Sequence, residues 1–354
     1  MTWVLREAWR NLVSGTTHAL RYMLVVQVTL GLVVLAELST VDTILVRAAG
    51  YRSSGASVVT LEAPGLIDGA SCDALGRLPG VQAAGALRAD ERPLVPSVLP
   101  RGPMSAYIVT DGLLALVGAD QDHGTGIVLA QQVSTTLDRP IGAELATTSG
   151  ITRVRGTYEW PDDGRRAGFS FAALIPASAH ELYDECWVQA WPIPTNLPAL
   201  LRLTAIPATD GTSQVTLGRL NTTLGTSFNG ASDFSERVTS LAWATASLTG
   251  LLVGITSVRS RRLELASARH VGVSRTAQHL QILVEAGVWS AATAVLLAGT
   301  VTVIVGRSSG HDDATLLTAA AHVVLPGLIA VILGSQIAVT ATRERHLFRY
   351  FKNR

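Results

Sequence analysis

Four apolar segments, at 22–42, 237–258, 282–305 and 316–339, constrain this chain more than anything else in it. Each is close to the ~20 residues a helix needs to cross ~30 Å of hydrocarbon at ~1.5 Å per residue. Their edges turn polar abruptly, so they read as membrane spans rather than as core helices of a large soluble protein. Composition agrees: 48% of the 354 residues are hydrophobic and only 16% charged, less charge than a soluble domain carries. Ala, Ser, Thr and Gly recur in the last three spans, as in membrane helices that pack closely.

Val34-Leu35-Ala36 in the first span looks like a signal-peptidase site. Residues 1–21, however, precede the apolar run, with Trp3, Leu5, Trp9 and Leu12 at helical spacing among Arg6, Arg10 and Arg21. That pattern suits an amphipathic helix on the inner membrane surface that leads into an uncleaved span.

Arginine placement sets the expected topology. Arg6, Arg10 and Arg21 precede the first span. Arg259, Arg261, Arg262, Arg269 and Arg275 lie at or beside the loop 259–281, and Arg343, Arg345, Arg349, Lys352 and Arg354 fill the tail 340–354. The loop 306–315 has only Arg307, beside His311, Asp312 and Asp313. The positive-inside rule then puts both termini and the loop 259–281 in the cytoplasm, and the region 43–236 outside.

The fold class expected is a membrane protein of four transmembrane α-helices with an extracytoplasmic mixed α+β domain between helices 1 and 2. In that domain, strands are expected at 58–61, 126–130, 151–158, 169–175 and 187–191. Helices are expected at 72–78, up to Leu137 after the second strand, and at 213–224, where Val215, Leu217, Leu220 and Leu224 recur. A Gly/Ser/Thr-rich stretch, 225–232, leads to the second span. The two cysteines, Cys72 and Cys186, both fall in this domain. In an oxidising compartment such a pair reads as a disulfide closing a loop of roughly 115 residues, worth a few kcal/mol; two unrelated thiols are the alternative.

Several chemistries find no support. Net charge is +1, so no basic surface argues for nucleic acid. Lys352 is the only lysine and stands in Phe-Lys-Asn-Arg, whereas a phosphate-binding Walker loop needs Gly-Lys-Ser/Thr. This chain is therefore not an ATPase. Eight histidines are scattered without ligand spacing. Asp162-Asp163-Gly164 reads as a turn, and His311-Asp312-Asp313 as a solvated loop tip. No nucleophile has an assignable base, so no catalytic, cofactor or metal residues are expected. Gln27, Glu37 and Glu285 lie in or near spans, and headgroup solvation near the interfaces is the expected explanation for both glutamates.

Most informative for function is the run Arg-Ser-Arg-Arg-Leu-Glu-Leu-Ala-Ser-Ala-Arg-His-Val-Gly-Val-Ser from Arg259 to Ser274. Leu265, Ala268, Arg269 and Gly272 share one helical face, and Glu264 can pair with Arg261 one turn earlier. Gly272 suits a left-handed helix end and Ser274 the cap of the next helix. By residue type alone this is equally a docking corner or a basic interfacial helix that fixes topology.

The spacing Arg262-x-Glu264-Leu265-Ala266-x-x-Arg269-x-x-Gly272-x-Ser274 resembles the coupling segment of ABC-transporter permeases of the MacB/FtsX type. Arg10-Asn11-Leu12 in the first helix and Leu75-Gly-Arg-Leu-Pro-Gly-Val81 in the outer region are similar to family fragments too. The resemblance implies a non-catalytic permease subunit in a bacterial plasma membrane, without the fused ATPase some members carry. It implies a cytoplasmic ATPase partner that holds ATP and Mg2+, and a second permease copy, in a homodimer. It also implies an ATPase-coupling interface at Arg262, Glu264, Leu265, Ala268, Arg269, Val271, Gly272 and Ser274. Such permeases transmit the ATPase stroke to the outer domain, for export or extraction of a peptide, lipoprotein, lipid or hydrophobic compound. The alternative within the family is signalling, in which the outer domain activates an extracytoplasmic partner such as a cell-wall hydrolase. Membrane lipid is a partner either way. A membrane receptor is a third class, and the short inner segments leave no room for its signalling domain.

Overall fold

The computed structural model describes residues 2–122, 124–207, 215–307 and 312–342. The basic tail from 343 onward, His311, and residues 213–214 of one expected helix lie outside them. The chain opens with α1 (Thr2–Val13) and α2 (Ala19–Ser53). There follow β1 (Val58–Asp68), α3 (Gly69–Ala74), β2 (Val81–Ala89), β3 (Ser105–Val109), α4 (Asp111–Leu116) and β4 (Asp120–Gln121). Next come β5 (Ile127–Ala130), α5 (Gln131–Leu137), β6 (Glu144–Thr147), β7 (Gly150–Tyr158), β8 (Ala172–Pro176) and β9 (Leu182–Ala190). After α6 (Leu197–Arg202), β10 (Thr216–Arg219) and α7 (Gly230–Ser235) stand α8 (Ala242–Arg259), α9 (Arg262–His270), α10 (Arg275–Val305) and α11 (Asp313–Ala341).

Among the described residues, four helical stretches are long and apolar enough to cross a membrane: α2, Val238–Arg259, α10 and α11. The mixed α/β sheet region lies between the first and the second in chain order. Two compact units result, one of Met1–Arg47 with Asn229–Arg354 and one of Ala48–Phe228.

In the helical unit, α2 buries Val26, Leu30, Val34, Leu38 and Val41, a stripe at steps of four and three residues. Its other faces are apolar too, with Leu24, Val28, Leu32 and Leu35 exposed. A helix greasy on its buried and its open faces is one adapted to hydrocarbon.

The closest contact in this unit is the crossing of α8 and α11. Ala246, Gly250 and Gly254 recur every fourth residue on α8 and are all buried. A Cβ added at Gly250 would lie 2.1 Å from the Gly327 carbonyl oxygen, and one at Gly254 would lie 2.1 Å from that of Val331. From the other side, a Cβ at Gly334 would lie 2.3 Å from the Leu251 carbonyl oxygen. Backbone meets backbone, as the small residues at this spacing permit. Pro326 lies inside α11 and withdraws one amide from the helical ladder, a loss that neighbouring helices make tolerable in a span.

The Ala48–Phe228 unit is built on a ten-stranded sheet of order β10-β1-β9-β2-β3-β8-β5-β7-β4, with β6 on β7. The pairs β3–β8 and β5–β7 are parallel and the rest antiparallel. One core gathers Trp160, Phe169 and Trp187 with Leu113, Leu129 and Val133; a second gathers Leu61, Ile67, Tyr183, Val188 and Leu201. Cys72 on α3 and Cys186 on β9 are bonded within the second core, with Cα atoms 5.8 Å apart and both residues buried.

Three departures from the sequence reading have local causes. The stretch expected as a helix over 213–224 is β10, an edge strand pairing Thr216–Arg219 with β1. Val215 and Leu217 fit an alternating pattern as well as a helical one, and the short edge strand uses the former. Strand β2 was not expected, because Val-Gln-Ala-Ala-Gly-Ala-Leu-Arg-Ala has little β-branched or aromatic content. Its Gly85 explains the choice: a Cβ there would fall 1.9 Å from the Leu113 amide nitrogen, so α4 lies directly on the strand backbone. Finally, the expected helix at 72–78 is α3 followed by one 3-10 turn at Leu75–Arg77 capped at Leu78, and Gly80, with φ +82°, sits in the turn that follows.

Gly254→Leu should therefore disrupt the α8–α11 crossing and lower stability by about 1–3 kcal/mol or more. Gly287→Leu on α10, where an added Cβ meets nothing within 4 Å, should be tolerated. Thermal unfolding of the two detergent-purified variants beside the parent checks both expectations.

Candidate functional site

The run that carries the family resemblance forms a corner between two spans. Helix α8 ends at Arg259, Ser260 and Arg261 turn the chain, and α9 runs from Arg262 to His270. The corner then closes in a Schellman motif: the Val273 amide donates to the Ala268 carbonyl and the Gly272 amide to that of Arg269, each at 3.0 Å. Gly272 has φ +102°, a left-handed position that costs glycine little and other residues more. Ser274 then caps α10, its Oγ accepting from the Ala277 amide at 3.2 Å.

Two buried arginines fasten α9 to its neighbours. Arg261 donates to Glu264 through Nε at 3.0 Å and Nη2 at 2.7 Å, and through Nη1 to Glu285 of α10 at 2.6 Å. Glu285 also accepts from Asn11 Nδ2 of α1 at 3.0 Å and from Gln281 Nε2 at 3.1 Å. Arg269 donates to Gln278 Oε1 at 2.5 Å, to the Val339 carbonyl at 3.1 Å and to the Thr342 carbonyl. Gln278 in turn donates to the Leu265 carbonyl at 2.7 Å. One guanidinium thus joins α9 to α10 and α1, and the other joins it to α10 and the end of α11. Charged groups this deeply buried persist only when paired and hydrogen-bonded, and here each guanidinium nitrogen of Arg261 and each carboxylate oxygen of Glu285 has a partner.

The residues singled out in the sequence divide into two sets. Leu265 and Arg269 turn inward and are 3% and 7% exposed. Glu264, Val271, Gly272 and Ser274 are exposed, and Arg262 and Ala268 are half-buried. Val271, at the tip, is 85% exposed, an apolar side chain held out by the motif behind it. A cleft of about 340 Å³ opens beside the tip between α1, α9 and α10, lined by Glu7, Asn11, Glu264, Ala268, Val271 and Gln281 among others. The face of α1 away from this packing carries Leu5 and Trp9, both exposed.

Asn11, Gln278, Gln281 and Glu285 were not recognised in the sequence as a set. Gln278, Gln281 and Glu285 recur at i, i+3 and i+7 on one face of α10, a polar stripe at the foot of a span that was there to be read. Headgroup solvation does not describe either glutamate. Glu285 is buried in the network above, and Glu37 is 1% exposed and accepts from Arg237 Nη2 at 2.8 Å and Nε at 3.1 Å. Gln27 Oε1 is buried without a hydrogen-bond partner among the described residues. Asp163 serves the turn expected of it, accepting from the Arg165 side chain at 2.7 and 2.9 Å.

No protein-family model matches the chain, nor does any curated protein. Among solved structures it is similar to the periplasmic region of MacB from Actinobacillus actinomycetemcomitans, at 12% identity and TM-score 0.36, over 48% of this chain and 91% of that one. It is similar also to a domain of a permease protein from Porphyromonas gingivalis, at 9% identity and TM-score 0.33, over 48% of this chain and 92% of that one. A third likeness is to the extracellular domain of the ABC-type transporter YknZ from Gram-positive bacteria, at 11% identity and TM-score 0.31, over 46% of this chain and all of that one, 100%.

Arg261→Ala should be among the most damaging changes in the helical unit, at about 3–5 kcal/mol, because it strands Glu285 in a buried site. Arg261→Ala combined with Glu285→Ala should cost clearly less than the sum of the two single changes. Denaturation of the four proteins in one detergent measures the coupling.

Proposed function

We propose that this chain is the permease subunit of an ABC transporter of the mechanotransmission type. In this reading α9 and the tip at Val271–Ser274 dock on a cytoplasmic ATPase subunit that binds ATP and Mg2+. Both termini are cytoplasmic, the sheet unit is extracytoplasmic, and two permease copies pair around two ATPase subunits. The chain itself carries out no chemistry. Its task is to pass the ATPase stroke through the spans, for export or extraction of a peptide, lipoprotein, lipid or hydrophobic compound.

The observation that carries this reading is the division of the corner into a braced inner half and a bare outer half. A basic helix that served only to fix topology would need arginines near the headgroups. It would have no use for two guanidinium groups buried against carboxylates, amides and carbonyls at a desolvation cost of several kcal/mol per ion. Bracing of this kind makes the corner stiff: a load applied at Val271 is delivered through Arg261 to α10 and α1, and through Arg269 to α10 and α11. The exposed valine at the tip then supplies what a docking contact needs, an apolar side chain on a rigid element.

Val271→Asp tests the docking without touching the brace. Purified from its native host in mild detergent, the parent should bring down a nucleotide-binding subunit with ATPase activity. The variant should lose that subunit by about tenfold or more, equivalent to ~1.4 kcal/mol, while keeping the parent's melting temperature. Full retention of the ATPase by the variant would remove Val271 from the interface, and absence of any ATPase from the parent would remove the permease reading.

A further inference from the structure

At the opposite end of the helical unit from the corner, two clefts meet at Ser39 on α2. The first, of about 300 Å³, lies between α2, the C-terminal end of α10 and the N-terminal end of α11. Its walls include Leu35, Leu38, Ile304 and Leu316, with Asp42 and Arg307 also lining it. The second, of about 460 Å³, runs from the same turn of α2 to the segment before α8, and its lining includes Thr43, Arg47, Asp233, Glu236 and Arg237. An apolar slot thus adjoins a charged one, around a single residue of a membrane-spanning helix.

The charges in the second cleft are of both signs and are unequal in their commitments. Arg237 is spent on the buried Glu37. Arg47, Asp233 and Glu236 are exposed and have no ion-pair partner among the described residues. One unpaired cation and two unpaired carboxylates therefore face the same space. A purely anionic headgroup would meet two repelling carboxylates there and one attracting arginine. A zwitterionic headgroup with a primary amine satisfies both signs, phosphate toward Arg47 and ammonium toward Asp233 and Glu236. The three N–H donors of an ammonium suit two carboxylates better than a quaternary amine, which has none.

We infer that these joined clefts form a binding site for a bilayer phospholipid with a zwitterionic, primary-amine headgroup, phosphatidylethanolamine, one acyl chain lying in the slot beside Leu35, Leu38 and Leu316. The inference rests on α2, α10 and α11 spanning a membrane and is independent of any coupling to an ATPase. The site lies in the leaflet at the C-terminal end of α2. A lipid held there would bridge α2, α10, α11 and the segment before α8.

Native mass spectrometry of the full chain, delipidated and given equal amounts of phosphatidylethanolamine and phosphatidylglycerol of matched chains, tests it directly. The parent should retain the ethanolamine lipid about fivefold over the glycerol lipid, the scale set by exposed charge pairs of up to ~1 kcal/mol. The Asp233→Asn, Glu236→Gln double variant should bring that ratio near one, and Arg47→Ala should weaken retention of both lipids. Soluble glycerophosphoethanolamine in large excess should fail to displace the bound lipid. Equal retention of the two lipids by the parent would overturn the headgroup assignment, and so would a preference unchanged in the double variant. Displacement by the chainless headgroup would overturn the part assigned to the apolar slot. Because the first comparison uses the unaltered chain, a variant that fails to fold does not blunt the test.

Discussion

The buried pair Arg261–Glu285 is the interaction on which the corner between α8 and α10 depends. Its cost is large: two ions leave water, and the attraction between them repays that cost only with further hydrogen bonds. Glu264, Asn11 and Gln281 supply those bonds, and each comes from a different place in the chain. Asn11 is brought in by α1, so the N-terminal helix is part of the corner's foundation. Removing the pair would leave α9 held by Arg269, by the Gln278–Leu265 hydrogen bond and by the packing of Leu265, and the exposed tip would lose its tie to α1.

The glycine seam between α8 and α11 gives that foundation its rigidity along the span. Two helices in backbone contact at Gly250, Gly254 and Gly334 cannot slide independently without opening voids that lipid cannot fill. The spans immediately before and two after the corner are thereby locked together, while Arg269 ties the corner to the far end of the same α11. In the proposed reading, motion received at Val271 would be carried by this block of packed helices.

Much of this was legible in the sequence, for identifiable reasons. Spans are readable because hydrocarbon demands long apolar runs, and the last helix of the corner is readable because Gly272 and Ser274 have conformational roles that few other residues fill. The pairing of Arg261 with Glu264 follows from helical spacing alone. What the sequence hid depends on contacts between distant segments. Nothing local in Arg10-Asn11-Leu12 announces that Asn11 meets Glu285, and Arg269, assigned to the interface by the resemblance, is occupied by the carbonyls of Val339 and Thr342. In the sheet unit, β2 was invisible because its alanines and glycine answer to α4 lying on them rather than to strand propensity. The helix expected over 213–224 failed because leucines and valines spaced for a helix also alternate.

In the proposed function the corner's tip faces the cytoplasm and is covered there by a partner. The chain's two cysteines are both in the Cys72–Cys186 disulfide, so Val271→Cys adds a single reactive thiol at the tip. Labelling of that thiol by a membrane-impermeant maleimide should occur in inverted vesicles stripped of peripheral proteins. It should be strongly reduced when the ATPase is left bound, and absent in intact cells. Labelling from outside intact cells would reverse the topology, and equal labelling with and without peripheral proteins would mean that nothing docks at Val271.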